Sequence, residues 1–172
     1  MTKEAVPKPE HTYELMMFAE HYQFYVYDSD ADPGELSVYW DEESRDNMLL
    51  VSDRILGIGT IRHLDVPVMF ELYAEEPKGE PLDEYDHVAR CSMKIPSGQV
   101  IISGITEDVY QAQSFEVSPG TYGVRVYYGA LSEVDEEGFE GEDFYKISMW
   151  PTDEPPPLEV VKQWQESPKF MY

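Results

Sequence analysis

The stretch Val66-Pro-Val-Met-Phe-Glu-Leu72 decides the fold class. Val66, Val68, Phe70 and Leu72 alternate with Asp65, Pro67, Met69 and Glu71. Successive side chains of a strand point to opposite faces, so this two-residue period marks a half-buried β-strand. Pro67 has no N–H to give to a ladder, which places it at an edge or with its donor side toward solvent. Outward from this stretch the same period recurs. It is carried by Tyr13, Leu15 and Met17; by Tyr22, Phe24 and Val26; by Leu36, Val38 and Trp40; and by His87, Ala89, Cys91, Met93 and Ile95. Val100–Ile102, Phe115 with Val117, Tyr122 to Tyr128 and Tyr145 to Met149 continue it. Clusters such as Asp28-Ser-Asp-Ala-Asp-Pro-Gly34, Pro96-Ser-Gly98 and Ser118-Pro-Gly120 separate the runs as turns. About eight to ten short strands with little helical period predict an all-β, antiparallel β-sandwich.

Other segments are read more locally. Glu20-His21 is a tight hairpin or a kink, and Gly57-Ile-Gly-Thr60 a turn or bulge. Met48, Val51 and Ile55, spaced by three and four, predict a helical turn within residues 41–54. Residues 1–12 read as a disordered arm, 13–152 as the sandwich, and 153–172 as a Pro-rich linker and tail. Pro155-Pro-Pro157 is stiff, and Leu158–Trp164 reads as a short C-terminal helix or tail. Trp164, Phe170 and Tyr172 predict that this tail packs on the domain or on a neighbouring copy. Pairing of two copies into a homodimer is compatible with the pattern.

The 172 residues hold 42% hydrophobic side chains, enough for one packed domain. Thirty-five acids against 12 bases give a net charge of −23. Direct nucleic-acid binding needs clustered Lys and Arg, and an anionic membrane repels such a chain. A lone cysteine, Cys91, allows no internal disulfide and no Cys-based zinc cluster; on an apolar face it reads as a core thiol. No apolar run reaches membrane-spanning length and the first residues lack a signal-peptide core, so the expected compartment is the cytoplasm.

Chemistry-bearing motifs are few. No phosphate loop, zinc-protease or nucleophile-elbow pattern occurs, and no cofactor is expected. His21, His63 and His87 stand apart without metal-ligand spacing, yet strands bring distant residues together. Asp28, Asp30 and Asp32 match the first alternating ligands of a calcium loop, making them weak metal candidates. Pro33 displaces the loop glycine and Tyr39 stands where a bidentate Glu belongs, so a solvated acidic turn is the favoured reading.

The run Glu133-Val-Asp-Glu-Glu-Gly-Phe-Glu-Gly-Glu-Asp143 is the most informative stretch. Glu133, Asp135, Glu136, Glu137, Glu140, Glu142 and Asp143 supply carboxylates, and Phe139 sits between two glycines. Acidic loops are usually solvated and flexible. A charge of −23 nevertheless exceeds the magnitude of roughly 2–8 that solubility needs. Surplus carboxylates steer a protein onto a basic cleft, and a nuclease groove is such a cleft.

The order of several motifs is similar to one family. His21-Tyr-Gln-Phe-Tyr-Val-Tyr-Asp28, Trp40-Asp-Glu-Glu43, Val66–Tyr73, Phe115-Glu-Val-Ser-Pro-Gly-Thr-Tyr122, Val124-Arg-Val-Tyr127 and Asp143-Phe-Tyr-Lys-Ile147 occur in sequence. Together, over about residues 20–150, they resemble the competence protein J family, inhibitors of a DNA-entry nuclease. The resemblance implies a small acidic protein that binds and blocks a nuclease without catalysis of its own. This chain departs from the family pattern by an insertion around Glu75–Asp86, a larger acidic loop and the tail after Trp150.

The sequence therefore points to an acidic, non-enzymatic binding protein whose partner is basic, a nuclease in the favoured case. Glu133, Asp135, Glu136, Glu137, Phe139, Glu140, Glu142 and Asp143 are the expected partner-binding residues. Two alternatives stand beside it. One is a carbohydrate- or calcium-binding sandwich module; the other is an all-β hydrolase whose histidines and carboxylates converge from separate strands.

Overall fold

The computed structural model describes residues 7–36, 39–104 and 112–166. Strand β1 (His11–Ala19) leads through a 3-10 turn at Glu20–Tyr22 into β2 (Gln23–Asp28). Helical turns α1 (Pro33–Leu36) and α2 (Glu42–Asn47) precede β3 (Leu49–Val51), β4 (Ile55–Gly59) and β5 (Leu64–Leu72). The rest is β6 (His87–Ile95), β7 (Gln99–Gly104), β8 (Gln113–Glu116), β9 (Gly120–Gly129), β10 (Phe144–Pro151) and β11 (Glu159–Lys162). A six-stranded sheet, β1-β5-β10-β9-β6-β11, faces a five-stranded one, β3-β4-β2-β7-β8. The β-sandwich expected from the two-residue period is thus present, with eleven strands among the described residues. Every ladder is antiparallel except β5 with β10, which run parallel.

Register explains the core. Met17 opposes Val66, Phe70 opposes Ile147, Ile147 opposes Val126, and Cys91 opposes Val124, so one face of the larger sheet is continuously apolar. It packs on Phe24, Val26, Leu56, Ile58, Val100 and Ile102 of the smaller sheet. Cys91 is fully buried there, and burial pushes its thiol up to about 12, so it is an inert core residue. No helix among the described residues is long and apolar enough to cross a membrane.

Four local expectations change. Leu36 ends α1 and Trp40 lies in no strand, while Val38 lies outside the described residues. Trp40 lies against β4, its Nε1–H donating to Gln23 Oε1 at 3.1 Å and Tyr25 Oη at 3.0 Å. Gly57 is strand, not turn, since it pairs with Tyr25 of β2 and Leu50 of β3; a Cβ there would come within 2.9 Å of the Trp40 ring. The helical turn does form, but only as far as Asn47, because Met48 adopts φ 56° and closes α2. Asp41 caps that helix, its Oδ1 accepting the Ser44 N–H at 2.9 Å.

The last change concerns the C-terminal segment. Leu158–Trp164 is not helical; Glu159–Lys162 adds strand β11 beside β6. The unpaired edge of β6 offers this segment ladder bonds that two helical turns cannot match. Beyond it the Trp164 N–H donates to His87 Nδ1 at 3.1 Å, and Phe170 and Tyr172 lie outside the described residues. A backbone N–H can only donate, so His87 carries its proton on Nε2, which donates to Asn47 O at 2.7 Å. Burial holds this imidazole below its ordinary 6.5.

A depressed histidine pKa means that the unfolded chain binds the proton first, so stability falls as pH drops below about 6.5. Gln at position 87 reproduces one donor and one acceptor without titrating. The melting-temperature advantage of wild type over His87→Gln should shrink between pH 7 and pH 5, as read by thermal denaturation. Parallel pH curves for the two proteins would refute this assignment.

Candidate functional site

One end of the sandwich gathers three connections. The chain passes between sheets at Glu20–Tyr22 and again between β4 and β5, while the β9–β10 connection folds as a hairpin across both. Val134 and Gly141 form a β-bridge in that hairpin, and Asp135 N–H donates to Glu140 O at 2.8 Å. Gly138 turns it with φ 77°, a conformation glycine adopts without a Cβ clash. Asp135 Oδ1 accepts the Phe139 N–H at 2.9 Å. That bond, with neighbouring N–H groups of Glu140, Gly138 and Glu137, holds the Asp135 carboxyl below its usual range. The acidic run is therefore a cross-bonded hairpin rather than a loose loop.

The structure separates the expected site residues into two groups. Glu133, Asp135, Glu136, Glu137, Glu140 and Glu142 are exposed. Among the described residues none of them forms an ion pair with Lys or Arg. Asp143 is different: it is fully buried and cannot meet a partner. Its Oδ1 lies 2.9 Å from Arg62 Nε, and its Oδ2 accepts the Tyr145 hydroxyl at 2.6 Å. Tyr145 Oη in turn accepts the Ile61 N–H at 2.9 Å. Burial pushes the Asp143 carboxyl above its ordinary range, with Tyr145 and Arg62 pulling the other way. Asp143 thus belongs to the foundation of the hairpin; its place next to Phe144 at the start of β10 turns it inward.

Phe139 remains at the surface, 46% exposed. Its ring stands edge-on to His63 at 5.9 Å, and His63 lies 5.3 Å from the Tyr22 ring. The His63 N–H donates to Gly138 O at 2.6 Å, fixing the hairpin tip to the β4–β5 connection. His63 Nδ1 accepts the backbone N–H of His21 at 3.0 Å, so that nitrogen is occupied. His21 and His63 do converge, with ring centroids 6.1 Å apart. Their link is backbone to side chain, which seats His63 under Phe139. His21, Tyr22 and Leu64 all have positive φ, at 58°, 63° and 87°, an unusual density of strained backbone around one patch. Sequence reasoning found Phe139, but it had His63 only as one of three scattered histidines and Tyr22 only as a strand residue, and brought neither beneath Phe139. The only available sign was the undecided kink at Glu20-His21.

The weak metal candidates are also placed. Asp28 is buried, its Oδ1 accepting Ser97 N–H at 2.9 Å and Ser97 Oγ–H at 2.6 Å, its Oδ2 the Asp30 N–H at 3.1 Å. Asp32 Oδ1 accepts the Gly34 N–H at 2.9 Å. Asp28 and Asp32 thus stabilise the turn and the β7 hairpin. Among the described residues no group of three or more His, Cys, Asp or Glu is placed to hold a metal ion.

Three other bases sit on the outer face of the larger sheet. Residues 73–86 cross the outer face of the larger sheet as a strap. Glu76 takes Arg90 at 2.7 and 2.9 Å and Arg125 at 3.2 Å. Glu80 takes Lys146 at 2.6 Å and the Tyr127 hydroxyl at 2.6 Å, and Glu71 lies 3.3 Å from Lys146. Burial opposes the Lys146 charge, but Glu80, Tyr85 and Glu71 outweigh it and hold the ammonium above its ordinary range. Arg62, Arg90, Arg125 and Lys146 are thus neutralised internally.

Removing one partner of a buried ion pair leaves the other uncompensated, at a cost of about 3–5 kcal/mol. Asp143→Asn should therefore lose stability of that order in chemical denaturation, and amide exchange in the hairpin should accelerate. Glu137→Gln, exposed on the same hairpin, should shift stability by less than about 0.5 kcal/mol. Equal effects of the two substitutions would remove Asp143 from its anchoring role.

No protein-family model matches the chain, and no curated protein matches it. Two solved structures share its fold. One is described as ComJ, inhibitor of the DNA degrading activity of NucA, from Bacillus subtilis; it is 18% identical, spans 86% of this chain and 100% of its own, and has a TM-score of 0.63. The other, described as Crocagin biosynthetic gene J, is 17% identical over 82% of this chain and 97% of its own, with a TM-score of 0.56. At such identities the likeness is one of fold, and by fold this chain is similar to ComJ along nearly its whole sandwich.

Proposed function

We propose that this chain is a non-enzymatic inhibitor or regulator that docks its acidic hairpin on a basic protein partner, a nuclease in the favoured case. The observation that carries this reading is the hairpin itself. Glu133, Asp135, Glu136, Glu137, Glu140 and Glu142 stand exposed and without internal cations, around an aromatic side chain fixed from below by His63. The fold likeness to an inhibitor of a DNA-degrading activity supports the choice of nuclease.

The mechanism is occlusion. A nuclease groove is cationic because it holds a polyanion, and a ring of carboxylates competes for the same donors. The cross-bonded backbone makes the hairpin pre-organised, so little ordering entropy opposes docking. Interface energy concentrates in few residues, often aromatic ones near the centre of the contact. Phe139 has that position, and the surrounding carboxylates govern the approach.

The test uses the chain as bait in the native host at low and at moderate salt. A nuclease retained at low salt, released at higher salt and inhibited by the free chain is the expected outcome; a salt-insensitive or inert partner would end the proposal. With the captured enzyme, Phe139→Ala should raise the dissociation rate about tenfold or more. Any single Glu→Gln in the hairpin should act mainly on association and its salt dependence. Equal dissociation rates for wild type and Phe139→Ala would remove the anchor.

A further inference from the structure

Beyond the base of the hairpin lies a second surface that the strand pattern leaves exposed. On the outer face of the larger sheet, Met16 of β1 opposes Pro67 of β5, and Met69 opposes Lys146 of β10. Together with Phe144 and Tyr85 they line an open, mainly apolar groove of about 630 Å³. Met16 is 62% exposed, an unusual state for a large apolar side chain in the middle of a strand. The Phe144 ring packs against Gly129, where a Cβ would collide with it, so the groove floor is built by close packing.

The electrostatics of the groove select its occupant. Glu14 and Glu84 line it and are exposed. Lys146, the cation among the lining residues, is already held by Glu80 and Glu71. The field in the groove is therefore negative, and a second copy of a chain carrying −23 is repelled from it. Apolar contact surface rimmed by like charges fits a partner with the opposite rim. Methionine suits such a surface, since its unbranched side chain adapts to different apolar shapes.

The geometry points to this groove as a docking site for an extended cationic polypeptide segment that places apolar side chains against Met16, Met69 and Phe144 and Lys or Arg against Glu14 and Glu84. The inference does not rest on the inhibitor reading, although a partner held by the hairpin would reach the groove through the adjoining start of β10.

The probe is a nine-residue peptide of alternating Leu and Lys, compared with Ser/Lys and Leu/Glu peptides of the same length. It is titrated into the full chain carrying methyl-labelled methionine. The Leu/Lys peptide should shift the Met16 and Met69 methyl signals and bind at least tenfold more tightly than either control. Met16→Lys should weaken it at least tenfold. Val161→Lys, the same charge change at an exposed position on β11, should weaken it less than twofold. If Met16→Lys melts early, Met16→Ser serves instead, with an expected loss of about fivefold. Equal binding of Leu/Lys and Ser/Lys peptides, equal effects of the two Lys variants, or a dimer in sedimentation that Met16→Lys dissociates would each overturn the assignment. Loss of nuclease inhibition with peptide binding intact would count against the function proposed above and leave the groove standing.

Discussion

A single buried carboxylate organises the end of the molecule where the candidate site stands. Asp143 is out of water, and it is held between Arg62 from the β4–β5 connection and Tyr145 of the β10 strand that follows it. A buried ion pair adds little net stability, because desolvation of both charges offsets most of their attraction. Its effect lies in the asymmetry: the pair tolerates no other arrangement without leaving a charge unmatched. The hairpin is thereby fixed against the β4–β5 connection, and Tyr145 extends the link to Ile61. His63 N–H on Gly138 then closes the tip over the same segment. Where Phe139 points follows from that construction.

The distribution of bases has a parallel consequence. Arg90, Arg125 and Lys146 lie on the outer face of the larger sheet and are covered by carboxylates of the strap and of β5. Lys146 also lies 4.4 Å from the Tyr127 ring centroid and 5.4 Å from that of Tyr85. The cations of the β-face thus serve internal packing, while the acids of the hairpin keep their charge facing solvent. The hairpin carboxylates stand on a cross-bonded backbone around an exposed aromatic side chain.

Much of the fold is legible in the residues. Period-two runs such as Val66–Leu72 and His87–Ile95 became strands because both neighbours on the sheet share the same apolar face. Where the pattern misled, a distant group had intervened. Gly57 reads as a turn residue by composition, yet it lies in a strand paired on both sides, and its missing side chain leaves room for the Trp40 indole. Val160, Val161 and Trp164 can form one side of a short helix, yet the segment is strand β11, paired with the edge of β6 and followed by the Trp164 N–H bond to His87.

By itself the amino-acid order determined the sandwich class, the buried thiol and the acidic hairpin with Phe139 inside it, since alternation, apolarity and charge are local properties of the chain. Only the tertiary structure decided that Asp143 faces inward while its neighbours face solvent, that His63 supports Phe139, and that Met16 opens onto a groove. The reason is the same in each case. A side chain's burial and its hydrogen-bond partners depend on residues tens of positions away, and no periodicity within one segment records them.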